Sequence, residues 1–326
     1  MDGMNSSPPG PERHADAVAS TAWSRRLGLR VPLVNAPMGG VAGGALAAAV
    51  TAAGGLGMIG MGSAGSVPAL HRELVHVRET EGRFGIGLVD WVVAAHPDLL
   101  DVAIAARPAM ISVSFGTDMR WVERVRAAGI STATQVYSAE EAKRAAESGV
   151  QVLVARGSEG GGHGAVEQPL RPLLASVLEV VATPVLAAGA ITTHADLAAV
   201  LAEGASGAWV GTCLAACTES LLAPSGRRAL VAARGDDTIV TRAFDVGMEL
   251  PWPTRFPSRV LRNPFAERWT GREDVLARDA HARADLAAAT SAEDPAAVPI
   301  DAGTGVGAIT AVRSVAEVIE SLCATP

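Results

Sequence analysis

The stretch "VLVARGSEGGGHGAVEQP" (152–169) sets one histidine, His163, directly behind Gly160, Gly161 and Gly162 and before Gly164, just past an apolar run. Glycines free a backbone to take positive φ or to lie close against a flat ligand, at an entropic cost that an ordinary loop has no reason to bear. An imidazole held there near neutrality can take a proton from a carbon acid or hydrogen-bond an anionic substrate. The remaining histidines, His14, His71, His76, His96, His194 and His281, have no comparable setting.

Other residues suited to a ligand recur at the ends of β-prone runs. "NAPMGG" (35–40) places Ala36, Pro37 and Met38 where small or unbranched residues leave room for a ring system against backbone. Pro37 and Met38 serve equally well as strand-end punctuation and core filler. "AAGAIT" (187–192) and "WVGTCL" (209–214) expose Gly189, Gly211 and the Thr212 hydroxyl, a set of donors suited to a phosphate. Gln135 offers a neutral donor and acceptor that fits the polar edge of a ring ligand, or simply satisfies the rim; Ser114 and Thr117 are weaker candidates of the same kind. "GGVAGG" lacks the Lys-Ser/Thr ending of a P-loop, and no convincing GxGxxG unit occurs.

The elements that must position these residues are eight β-prone runs: "VPLVN" (31–35), "GMIGM" (57–61), "FGIGLV" (84–89), "MISVS" (110–114), "TATQV" (132–136), "QVLVA" (151–155), "PVLAA" (184–188) and "GAWVG" (207–211). Most are separated by a helical pattern, which predicts an α/β fold of the (β/α)8 TIM-barrel class. The sixth and seventh runs start 33 residues apart, against 19 to 27 elsewhere, so the longest connection holds His163. In such barrels the loops after the strands form the catalytic face, and the seventh and eighth commonly hold phosphate.

Residues 1–22 are polar and proline-rich and are expected to be a mobile tail; 23–215 form the barrel, 216–290 an insertion or smaller second domain, and 291–326 a segment returning to the barrel. Within the insertion, "TRAFDVGMELPWPTRFPSRVLRNPF" (241–265) is expected to cover the barrel mouth or make a subunit contact, with Trp252, Phe256 and Phe265 as packing anchors. A hydrophobic fraction of 49% with only 4% aromatics implies a core of Ala, Val, Leu and Ile, as a buried parallel sheet requires. The net charge of -7 comes without a basic block and argues against a nucleic-acid partner. No run reaches the length of a membrane helix. Cys213, Cys217 and Cys323 form neither a disulfide framework nor a zinc spacing and point to a reducing, cytoplasmic setting; no metal is expected.

"APMGGVAGG", "AAGGLGMIG", "ISVSFG", "GSEGGGHGA", "PVLAAGAI" and "GAWVGTCLAACTES", taken in order, resemble the nitronate monooxygenases, formerly called 2-nitropropane dioxygenases. The resemblance implies a TIM barrel with a smaller second domain and non-covalent FMN. It implies oxidative denitrification of alkyl nitronates such as propionate 3-nitronate with O2, through a flavin semiquinone. It assigns flavin contacts to Ala36, Pro37, Met38, Gln135, Gly157, Gly162, Gly189, Gly211 and Thr212, and makes His163 the active-site histidine that orients the nitronate and removes the α-proton of neutral nitroalkanes. The expected partners are a small anionic substrate and O2, in a homodimer on general grounds.

Three positions depart from the family pattern. Arg156 stands where glutamine is usual, Ala190 replaces a second glycine, and Thr304 in "AGTGVG" replaces a glutamine. Arg156 brings a positive charge either to the ligand or to a surface pair, and Thr304 suggests an altered substrate pocket. The nearest alternatives are an FMN-dependent enoyl-[acyl-carrier-protein] reductase using NAD(P)H and a biosynthetic flavin oxygenase on the same scaffold. A barrel without flavin that only binds a phosphorylated ligand is the alternative of another class.

Overall fold

The computed structural model describes residues 18, 20–80, 83–292, 294 and 296–324. Among them are eleven strands: β1 (Leu33–Asn35), β2 (Gly57–Gly60), β3 (Phe84–Val89), β4 (Met110–Ser114), β5 (Ser131–Val136), β6 (Val152–Arg156), β7 (Gly162–His163), β8 (Val185–Ala188), β9 (Gly207–Val210), β10 (Thr238–Thr241) and β11 (Ser258–Leu261). All eight β-prone runs are strands of one parallel sheet, ordered β1-β9-β8-β6-β5-β4-β3-β2. The seam between β1 and β2 is closed by a parallel bridge, Val34 to Leu56, and by a side chain. Asn35 is fully buried; its Oδ1 accepts from Met58 N at 2.6 Å and its Nδ2 donates to Met58 O at 2.9 Å. The result is the (β/α)8 barrel that the alternation of elements predicts.

Period-two alternation divides the strand residues between two cores. Val34, Met58, Met110, Val152, Val154, Leu186 and Trp209 fill the barrel, while Leu33, Ile59, Ile86, Ile111, Leu153, Val185 and Val210 face the outer helices. Both sets are buried, which is why the strands read as continuous apolar runs rather than as alternating ones. The short helix Ala22–Arg26 carries Trp23 into the interior cluster, and Thr21 caps it while its hydroxyl donates to Ser206 O at 2.6 Å. Thus Thr21 and Ala22, placed at the end of the expected tail, are tied to the barrel. Residues 1–17 and 19 lie outside the described residues.

The chain after β9 builds a second, antiparallel sheet of order β10-β11-β7. The helix Val315–Cys323 then returns to pack on the outer helices Gly44–Ala52 and His194–Ala202, burying Val315, Val318, Ile319 and Leu322. Cys213 and Cys217 are buried free thiols, and burial pushes the Cys213 thiol up to about 12. No helix of the described residues is long and apolar enough to cross a membrane.

Candidate active site

A cavity of about 340 Å³ opens at the carboxyl ends of the barrel strands. Ala36, Pro37, Met38, Gln135, Gly162, His163, Gly189, Gly211 and Thr212 all line it. Gly157 does not. Its N–H donates to Ala188 O at 2.9 Å, and a Cβ on it would stand 2.4 Å from Leu170 N, so it serves the packing of the loop against the next helix. Of the weaker candidates Ser114 is at the wall, and Thr117 is exposed outside it. Strand glycines give the cavity its depth: a Cβ on Gly87 would meet the Pro37 ring at 2.2 Å, so Gly87 lets the β1 loop sink into the barrel mouth.

His163 owes its position to the second sheet. β7 is only two residues long, but it pairs with β11 in the register Ser258↔His163 and Arg259↔Gly162. The imidazole Nε2 lies 2.9 Å from Asp245 Oδ1, and its ring stacks on Trp252 with centroids 3.7 Å apart and planes 8° from parallel. Asp245 is 4% exposed, on the short helix Ala243–Gly247. A carboxylate at Nε2 favours the tautomer with the proton there, which leaves Nδ1 with a lone pair, the arrangement of a general base. Phe115, at φ 72°, braces the other side by packing edge-on against Trp252 at 5.0 Å. Positive φ on a bulky residue is strained, and such strain gathers at functional sites.

Arg156, at the end of β6, is buried and lines the same cavity. Its Nη2 donates to the carbonyls of Gly160, Gly161 and Gly162 at 3.0, 3.1 and 2.9 Å. A Cβ on Gly164 would lie 2.1 Å from its Nη1, so part of the glycine run exists to let this guanidinium in. The surface pair considered for Arg156 is therefore absent; the charge is at the ligand cavity, and burial pulls its pKa down from the ordinary arginine value. Gln135 is oriented by Tyr137, whose hydroxyl donates to Oε1 at 3.1 Å and leaves the amide Nε2 without that partner. Thr212 Oγ1 accepts from Gly303 N at 3.0 Å, so its hydroxyl hydrogen remains to donate. Ala190 holds φ 51°, a left-handed conformation that glycine adopts more readily. Thr304 does not line the cavity, and its N–H donates to Glu159 O at 3.0 Å.

Three residues of the site escaped the sequence: Trp252 and Asp301 on the wall and Asp245 behind His163. Asp245 and Asp301 are lone acids in the apolar stretches "RAFDVGM" and "VPIDAG", and Trp252 passed as a packing anchor. An acid isolated among apolar residues is the one signal that marked the first two, because an unpaired carboxylate is seldom placed against a core without a role.

The family model for nitronate monooxygenase matches residues 91–325. The chain belongs to the nitronate monooxygenase family. It is 31% identical to a nitronate monooxygenase of Paraburkholderia phytofirmans, over 70% of this chain and 75% of that protein. It is 32% identical to the (3aS,4S,5R,7aS)-5-hydroxy-7a-methyl-1-oxo-octahydro-1H-indene-4-carboxyl-CoA dehydrogenase of Rhodococcus jostii, over 69% of this chain and 63% of that protein. Among solved structures, FabK from Thermotoga maritima superposes with a TM-score of 0.81 at 27% identity, over 93% of this chain and 95% of that one. As a member of the nitronate monooxygenase family the chain is an oxidoreductase, and the family implies a flavin.

Proposed function

We propose that the protein is an FMN-dependent nitronate monooxygenase that oxidises alkyl nitronates, such as propionate 3-nitronate, with O2. The observation that carries this reading is the His163 imidazole, fixed by Asp245 and Trp252 on the wall of a glycine-lined barrel mouth. The cavity fits the cofactor. Its volume is within the ~300–1,000 Å³ range of small-molecule sites. A Cβ on Gly189 would meet nothing nearer than 3.4 Å and one on Gly211 nothing nearer than 3.6 Å, so neither glycine is sealed off by a neighbouring segment. Gly189, Gly211 and Thr212 would hold the phosphate; the Pro37–Met38 backbone, Gln135 and Arg156 would hold the ring system. When bound, FMN accepts electrons from the substrate and passes them to O2.

The chain's own residues do the rest. Arg156 holds the glycine loop and places a positive charge beside the cavity, which favours an anionic substrate. His163 orients the nitronate and, for a neutral nitroalkane, takes the α-proton at Nδ1, while Asp245 stabilises the imidazolium that results. Trp252 and Phe115 exclude water from that side.

The reading is tested by following flavin absorbance anaerobically after mixing FMN-loaded protein with propionate 3-nitronate or with NADH or NADPH. The expected result is a rapid spectral change with the nitronate and none with either nicotinamide. Bleaching by a nicotinamide alone would contradict it and would favour enoyl thioester reduction, the second reading, for which the likeness to FabK speaks.

A further inference from the structure

β11 brings a second acid to the cavity that His163 lines. Ser258 of β11 is the register partner of His163, and Val260, two residues on, is bridged antiparallel to Asp301. Cross-strand partners share a face, and so do residues two apart on one strand. His163, Ser258 and Asp301 therefore project to one side of the sheet, and both His163 and Asp301 line the cavity. Ser258 Oγ donates to Asp301 Oδ1 at 2.7 Å. Oδ2 is turned toward the glycine loop, where a Cβ on Gly162 would come within 3.2 Å of it.

The charged groups facing Asp301 are His163 on β7, Asp245 on the helix Ala243–Gly247 and Arg156 on β6. Arg259, its neighbour on β11, is directed to Ser158 O and Thr238 Oγ1. Arg156 is committed to loop carbonyls. Asp301 thus has no ion-pair partner among the described residues, and a second carboxylate, Asp245, is bonded to the imidazole that faces it. Asp301 is exposed at the cavity wall, and the protein packed around its carboxyl pushes it above the ordinary range.

We propose that Asp301 is a second catalytic residue, a protonated donor to the oxygen of a carbon acid whose α-hydrogen His163 removes. This rests on the functional reading above and gives the class of its neutral substrates as compounds with an acidic C–H beside a nitro or carbonyl group. In the step, the C–H bond breaks and its proton goes to His163 Nδ1. The C–H electron pair becomes the new C=N or C=C π bond, and the former π pair comes to rest on the oxygen facing Asp301 Oδ2–H. No electron leaves the substrate in this step, and Asp301 keeps its proton in a strengthened hydrogen bond.

The test compares the wild type with Asp301→Asn, which still donates but cannot ionise, and Asp301→Ala, which does neither. One arm measures kcat/KM for nitroethane and for preformed ethylnitronate across pH. Wild type is expected to lose nitroethane activity as Asp301 ionises; Asp301→Asn should lack that alkaline fall, and Asp301→Ala should be slower by roughly 10²-fold. Rates with preformed nitronate should change far less. The second arm needs no turnover: affinity for nitrate, a planar oxyanion, is read by tryptophan fluorescence of the FMN-loaded protein. Wild type should bind nitrate more weakly as pH rises, by about tenfold more than Asp301→Asn does. His163, Asp245 and Arg156 are present in both proteins. An alkaline fall or a nitrate pH dependence unchanged in Asp301→Asn would overturn the proposal. A protein inert toward both nitro compounds would defeat the functional reading, while the nitrate arm would still decide the role of Asp301.

Discussion

Arg156 stands in the sequence as a departure from a family pattern, a bare charge before a glycine run. Where that charge points depends on backbone carbonyls that no motif encodes. In the structure it is the only donor shared by the carbonyls of Gly160, Gly161 and Gly162 among the described residues. Removing the guanidinium takes this donor from three carbonyls, at about 1–3 kcal/mol for each one left unpaired before relaxation. Arg156→Met is therefore expected to lose about 2–4 kcal/mol in urea unfolding and to bind FMN more weakly. Arg156→Lys should recover only part of this, since an ammonium has no planar fork. Unchanged stability and FMN affinity in Arg156→Met would contradict the clamp. His163 was legible because glycines announce unusual backbone. Asp245 was not, because it meets His163 across 82 residues.

Among the elements, the eight barrel strands were readable because strands buried on both faces are apolar runs ended by glycine, proline or polar residues. β7, β10 and β11 were not. At two to four residues each they hold too few alternations to show a period, and β7 exists only through its pairing with β11. Barrel closure was equally hidden. Asn35 reads as a strand end, yet its carboxamide spans β1 and β2 by bonding both backbone groups of Met58. Asn35→Ala should cost about 2–4 kcal/mol, because it orphans a buried N–H and a buried carbonyl at the seam. Denaturant unfolding checks this, and a loss below about 0.5 kcal/mol would mean that the backbone bridge alone closes the barrel.

At the scale of the molecule, the site is made by two sheets. The barrel supplies the hollow, the glycine turns and Gln135; β7, held by β11, and the helix Ala243–Gly247 supply His163 and Asp245, the pair proposed to move protons. Sequence motifs found the first half, because ligand-cradling turns are local. The second half is assembled from residues 163, 245, 252, 258 and 301, which only the folded chain brings together. This division of labour makes one claim central: the second sheet delivers a general base to a cavity that the barrel has already shaped. The most direct measurement is kcat/KM of His163→Asn on nitroethane and on ethylnitronate, with FMN content determined in parallel. The expected result is a loss of about 10²-fold or more on nitroethane, a much smaller loss on ethylnitronate and full FMN occupancy. Equal losses on the two substrates, or wild-type turnover of nitroethane, would contradict it.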